Sequence, residues 1–253
     1  MEGQMQMDKT VRSRMLNRDV IKYIAMVTMF LNHFAHMFLT KGTAVHEVFL
    51  DIGFFTAPVM CYFLVEGYMH TRSKVKYGLR LFLFALLSQI PFQLALGYKI
   101  LNMIFTLLCC FLILVVMENV SSPMLKPVLC ALLVLITTMA DWAVVAPVTT
   151  ILLCNAWGDK KRMAIEYFIA YLLFSMINVQ SYMSGETGGW TAYAVFHGLL
   201  SGLGILAAAV ATLVLYNGER ARRGQNFSKW FFYIFYPAHL LVLYLVKIGL
   251  HNS

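Results

Sequence analysis

Charge is what this 253-residue sequence has least of: 13% of its residues are Asp, Glu, Lys or Arg, against about 25% in an ordinary soluble domain. Cysteine is sparse too, with Cys61, Cys109, Cys110, Cys130 and Cys154 all inside apolar runs. No CxxC pair and no histidine at zinc-ligand spacing accompanies them, so neither a disulfide framework nor a metal site is indicated and they read as small hydrophobes. Internal repeats and low-complexity tracts are absent, and the stretches between apolar runs are too short for a soluble domain. What is abundant is apolar surface: 60% hydrophobic residues, 14% aromatic and a mean hydropathy of +0.71. Surface-to-volume scaling cannot hide that excess inside one water-soluble domain, so lipid must solvate most of the chain.

A membrane helix needs about 20 apolar residues. Nine runs bounded by charge, Gly or Pro qualify, near 20–39, 51–69, 79–97, 100–117, 125–140, 142–156, 163–180, 191–216 and 229–248. The fifth and sixth are short and meet at Asp141-Trp142, which suits a tilted pair or a sheltered hairpin. The expected fold is an all-α, polytopic transmembrane bundle of about nine helices: a basic leader over 1–19 and one membrane domain over 20–248. The first run is too long for a signal sequence and no small-residue cleavage site follows it. With 20 Lys and Arg against 12 Asp and Glu, the net charge is +8. A cytoplasmic N-terminus puts 17 of the 20 cations on the cytoplasmic side, leaving only Lys41, Lys99 and Lys247 outside it. A basic membrane face thus accounts for the charge, and no nucleic-acid partner is implied.

Ionisable side chains at membrane depth are costly and are functional candidates by default. They are few: His33, His36, Glu66, Arg80, Asp141, His197 and His239. Lys22 and His33 are 11 residues apart, three turns of one helix face and about 16 Å along its axis. A cation at the cytoplasmic rim beneath a buried imidazole suits a long donor with an anionic head, the shape of acetyl-CoA. The plainer reading makes Lys22 a snorkelling anchor and His33 a helix-to-helix hydrogen bonder. His36 is a second imidazole one turn further out. Glu66 precedes a loop with four cations between Arg72 and Arg80, so it is either an ion-pair partner of Arg72 or Arg80, or a catalytic acid or orienting group. Asp141 beside Trp142 reads as an interface anchor or as an attractor for an incoming amine.

Several stretches resemble a known family: Leu-Asn-His at 31–33, GFFTAPVMCYFLVEGYMHTRS at 53–73, YGLRLFLFALLSQIPFQLAL at 77–96, and NMIFTL at 102–107. Asp141-Trp142, YNGER at 216–220 and KWFFYIFYPAHLL at 229–241 complete the set. In this order the chain resembles, over about 18–247, the TraX family of bacterial membrane proteins, whose founding member is associated with acetylating the N-terminus of conjugative pilin. Asn32 and Gln89 stand where relatives usually have acids, and Asn32 removes a negative charge next to His33.

The resemblance implies a multi-pass acyltransferase of the bacterial cell membrane that uses cytoplasmic acetyl-CoA and needs no metal. In that scheme His33 is the general base on an amine or hydroxyl acceptor, Asn32 and Glu66 assist, and Asn32 or Asn102 donates to the oxyanion. Lys22, Arg72, Lys74, Arg80 and Arg220 hold the donor's phosphates, and its pantetheine arm runs between the first, second and ninth helices. His36, Asp141 and His239 meet the acceptor, a small pilin-like membrane peptide or a glycan. Two other classes compete: a proton-coupled transporter using His33 and His239, which lacks the internal symmetry common among transporters, and a catalytically silent assembly factor.

Overall fold

A computed structural model describes residues 16–184 and 192–251. The helices are α1 (Arg18–Phe38), α2 (Ala44–Gly53), α3 (Thr56–His70), α4 (Lys74–Leu96), α5 (Met103–Asn119), α6 (Leu125–Ile136), α7 (Val145–Asn155), α8 (Lys160–Tyr182), α9 (Ala192–Ser201), α10 (Leu203–Ala209) and α11 (Gln225–His251). A 3₁₀ turn, Thr137–Met139, extends α6, and a π-helical turn, Val210–Leu215, continues α10. Taken as continuous runs, α2 with α3 and α9 with α10 each make one span, so the nine expected segments are present and no strand occurs among the described residues. Ala44–His70, Lys74–Leu96, Lys160–Tyr182, Ala192–Leu215 and Gln225–Leu250 are long and apolar enough to cross a membrane. The chain is a polytopic helical membrane protein.

Helix α3 is the axis of the bundle. Ten of its fifteen residues are buried, because it is apolar on all sides and packs against α1, α5, α7 and α10. The second span starts at 44 rather than 51 and breaks at Phe54-Phe55. The break follows from close packing: a Cβ on Gly53 would lie 2.2 Å from Cβ of Asn32, and one on Gly204 would lie 2.7 Å from the backbone of Phe54 and Phe55. Only glycine lets α1 and α10 approach this turn. The fifth and sixth runs form the hairpin α6–α7. No residue of α6 is fully buried: it packs one side against α5 and leaves the rest of its apolar surface to lipid, while α7 inserts against α3, α5 and α8. The connecting turn carries positive φ at Trp142 (57°) and Val144 (60°).

Residues 1–15 of the expected leader lie outside the described residues. From Leu16 on the chain belongs to the fold, since Asn217 N donates to Leu16 O at 2.9 Å and Arg18 N to Glu219 O at 2.9 Å. Asn17 caps α1 by accepting from Asp19 N and Val20 N, and Asp19 accepts from Ala221 N at 2.8 Å. These bonds fix the start of α1 to the loop before α11, where Arg220 sits.

Candidate functional site

A cavity of about 420 Å³ runs along the bundle between α1, α3, α4, α5 and α11. Its two ends differ chemically. One end carries Arg18, Lys22, Arg80, Arg220 and Lys229; the middle is walled by Met26, Met29, Met60, Phe63 and Leu64; the other end presents Asn32, His33, His36, Tyr98, Asp141, Trp142 and Tyr236. Charge is thus segregated along one continuous space that passes from a cationic mouth, through an apolar bore, to an imidazole and a carboxyl group.

At the basic end, cations are oriented by neighbours rather than by one another. Arg18 pairs with Glu66, Nε to Oε2 at 3.5 Å, and Tyr216 donates to Glu66 Oε1 at 2.8 Å. Glu66 is therefore the partner of Arg18, not of Arg72 or Arg80, and it holds that guanidinium at the mouth without lining the cavity. Lys22 Nζ lies 5.4 Å from the Phe63 ring centre and 5.1 Å from that of Phe232, a cation held between two aromatic faces. Arg80 lies 5.6 Å from the Tyr77 ring.

At the far end two histidines form a chain. His239 Nδ1 lies 2.8 Å from Phe235 O, and a carbonyl can only accept, so the proton is on Nδ1 and His239 Nε2 is an acceptor. His33 Nδ1 lies 2.8 Å from that Nε2 and must carry the proton between them. The lone pair of His33 then resides on Nε2, on a ring that lines the cavity. The rings stack at 5.1 Å with 12° between planes, and both residues are buried, at 6% and 5% exposure. A backbone carbonyl orients one imidazole, which orients the next, leaving a base at the cavity wall: the logic of a nucleophile-activating triad with a neutral third member. Asp141 is in the α6–α7 turn, where burial pushes its carboxyl up to about 6 against the opposing hydrogen bond from Trp142 N, 2.9 Å long.

The cavity gathers Lys22, Asn32, His33, His36, Arg80, Asp141 and Arg220 from the sequence candidates, with His239 directly behind His33. Five others do not line it: Glu66, which holds Arg18, and Arg72, Lys74, Asn102 and His197. Arg72 is exposed and does not itself line the cavity, although Thr71 before it does. Lys74 is engaged by Glu118, which also accepts from Tyr68. Asn102 is fully buried, donates to Ala85 O at 2.7 Å and Gln89 Oε1 at 2.9 Å, and accepts from Ile104 N at 2.9 Å. With all its groups used, Asn102 caps α5 and has nothing to offer an oxyanion. Asn32 donates to Leu50 O at 3.1 Å, which an aspartate could not do, and so ties α1 to α2. His197 stacks on Tyr193 at 4.2 Å and lies outside the cavity. Arg18, Lys229, Tyr98 and Tyr236 were not singled out by sequence. The signals were there for two of them: Arg18 is four residues before Lys22, and Tyr236 three before His239, each pair on one helix face.

Among the described residues no group of three His, Cys, Asp or Glu is placed to hold a metal ion, and all five cysteines are free thiols.

The chain is 27% identical over 244 residues, 91% of its length and 95% of the relative's, to a probable fimbrial assembly protein FimC, serogroup H1, from Dichelobacter nodosus. No solved structure matches it. Residues 17–247 match the family described as TraX protein, a range that runs from the Asn17 cap to Lys247 in the last helix and encloses the whole cavity: the chain belongs to the TraX family.

Proposed function

We propose that this protein is a membrane acyltransferase that moves an acetyl group from acetyl-CoA to an amine of a pilin-like membrane peptide, with His33 as general base. The observation that carries the reading is the oriented pair His33–His239 on a cavity whose other end is cationic. The donor's phosphates would meet Lys22, Arg80 and Arg220, joined by Arg18 and Lys229, and its arm would follow the apolar bore toward His33, a distance of about three helical turns, or 16 Å, from Lys22. Nε2 of His33 takes the proton of the attacking amine as the C–N bond forms. It then returns that proton to the departing coenzyme A sulfur as the C–S bond breaks. His239 steadies the transient imidazolium by accepting from Nδ1. The apolar bore keeps water from the thioester. The fimbrial name of the relative supports a pilin-type acceptor; a hydroxyl on a glycan would use the same base.

That same name also favours a second reading, an assembly factor that binds a peptide without chemistry. One experiment separates them. Purified protein in detergent is given acetyl-CoA, and binding and slow hydrolysis are measured for wild type, His33→Ala and Lys22→Ala. Acyl transfer requires that Lys22→Ala weaken binding and that His33→Ala abolish hydrolysis while binding persists. Absence of binding by wild type at millimolar donor would leave the assembly reading in its place.

A further inference from the structure

Tyr236 is 5% exposed, and its buried hydroxyl has at most the Met103 backbone amide as a donor to it and no acceptor for its own proton. A buried donor left without an acceptor costs about 1–3 kcal/mol, so a native fold that retains one calls for a use. Its position supplies the use. Tyr236 lines the cavity, and its ring stands edge-on to His33, 6.2 Å between centres at 71°, and to His239, 5.7 Å at 68°. The Met103 backbone amide is placed to donate to the hydroxyl oxygen, and the Asp141 carboxyl is a charged neighbour. Met103 also lines the cavity and is the first residue of α5, where the N–H has no acceptor within the helix. The hydroxyl and the α5 N-terminus thus lie at the same end of the cavity as His33.

We infer that Tyr236 is the oxyanion donor of the reaction proposed above, its hydroxyl hydrogen-bonding the acyl carbonyl oxygen of acetyl-CoA. As the acceptor nitrogen attacks, the carbonyl π pair moves onto that oxygen, and Tyr236 Oη–H donates to the negative charge while keeping its own proton. The pair returns when the C–S bond breaks. Base and donor lie on the same cavity, where a reacting carbonyl has to meet both. Tyr236 takes the place expected for Asn102, whose amide is already committed to Ala85 and Gln89.

The inference rests on the acyltransferase reading, and its test keeps the two apart. Tyr236→Phe in the full-length protein removes the hydroxyl and keeps the ring. Turnover of acetyl-CoA should fall about 10²- to 10³-fold, the usual loss for one oxyanion donor, with KM for acetyl-CoA unchanged. Binding of a ketone analogue, in which a methylene replaces the thioester sulfur, should weaken in the variant, whereas binding of coenzyme A itself, which lacks the carbonyl, should not. Wild-type turnover in Tyr236→Phe, or equal weakening of both ligands, overturns the donor role. A wild type that neither binds nor turns over acetyl-CoA overturns the underlying reading and this inference with it.

Discussion

Asp141 is one carboxyl group in a tight turn, and its surroundings decide what it can bind. Buried and opposed by a single backbone hydrogen bond, it is pushed up to about 6, so it is mostly ionised at pH 7.5 and mostly neutral at pH 5. If it attracts the ammonium form of the acceptor, then KM for a cationic peptide must rise as pH falls through about 6, because the attracting charge disappears. Asp141→Asn should show the high KM at every pH and lose that inflection, with KM for acetyl-CoA unchanged. Steady-state kinetics with a short amine-terminated peptide between pH 5 and 8 checks this. An unaltered inflection in Asp141→Asn would assign it to another group. The candidate histidines were legible from the sequence because imidazoles are rare in apolar runs, but their pairing was not, since His33 and His239 are 206 residues apart and spacing along one helix says nothing about the partner helix. Glu66 shows the same limit: its loop of nearby cations pointed to Arg72 or Arg80, and the fold gave it Arg18.

At the level of helices, two residues that look like losses of charge are polar staples. Gln89 donates to Ile100 O at 2.8 Å and accepts from Asn102 N at 3.0 Å, so one side chain on α4 uses both its donor and its acceptor to fix the start of α5. A carboxylate there could accept but not donate. Gln89→Glu is expected to lower stability by about 1–2 kcal/mol, the range for one hydrogen bond lost inside a membrane bundle, and to lower the melting temperature in detergent by a few degrees; an unchanged melt would mean that the α4–α5 corner does not depend on this bond. Gly53→Ala should be worse, because its Cβ would meet Asn32 Cβ at 2.2 Å and force α1 from the α2–α3 break, at a cost of about 1–3 kcal/mol from overpacking. Element count was readable because nine apolar runs separated by charge have no other use in water. The α2–α3 break was not, because it comes from the close approach of α1 and α10, a contact that local composition does not encode. The short α6 also misleads by length alone: it has no fully buried residue because it packs one side against α5 and leaves the rest of its apolar surface to lipid.

Across the whole molecule, the segregation of charge along one cavity bears on the direction of transfer. An anionic donor and a cationic acceptor cannot share one mouth without one of them meeting its own sign. The cations Arg18, Lys22, Arg80, Arg220 and Lys229 mark one end, and Asp141 with His36 the other. If the basic end is the cytoplasmic one, as the positive-inside rule would have it, acetyl-CoA would be supplied there on the proposed reading. Donor and acceptor are therefore expected to reach His33 from opposite faces of the bilayer, so that only the acetyl group crosses. Vesicles holding the protein can be loaded with an amine-terminated peptide in the lumen and given labelled acetyl-CoA outside. Molecules with the basic end outward should label the trapped peptide, and the same peptide placed only outside should stay unlabelled; His33→Ala should label neither. Labelling confined to the outside peptide would mean that both substrates use the basic mouth, and would leave the Asp141 end as a structural plug.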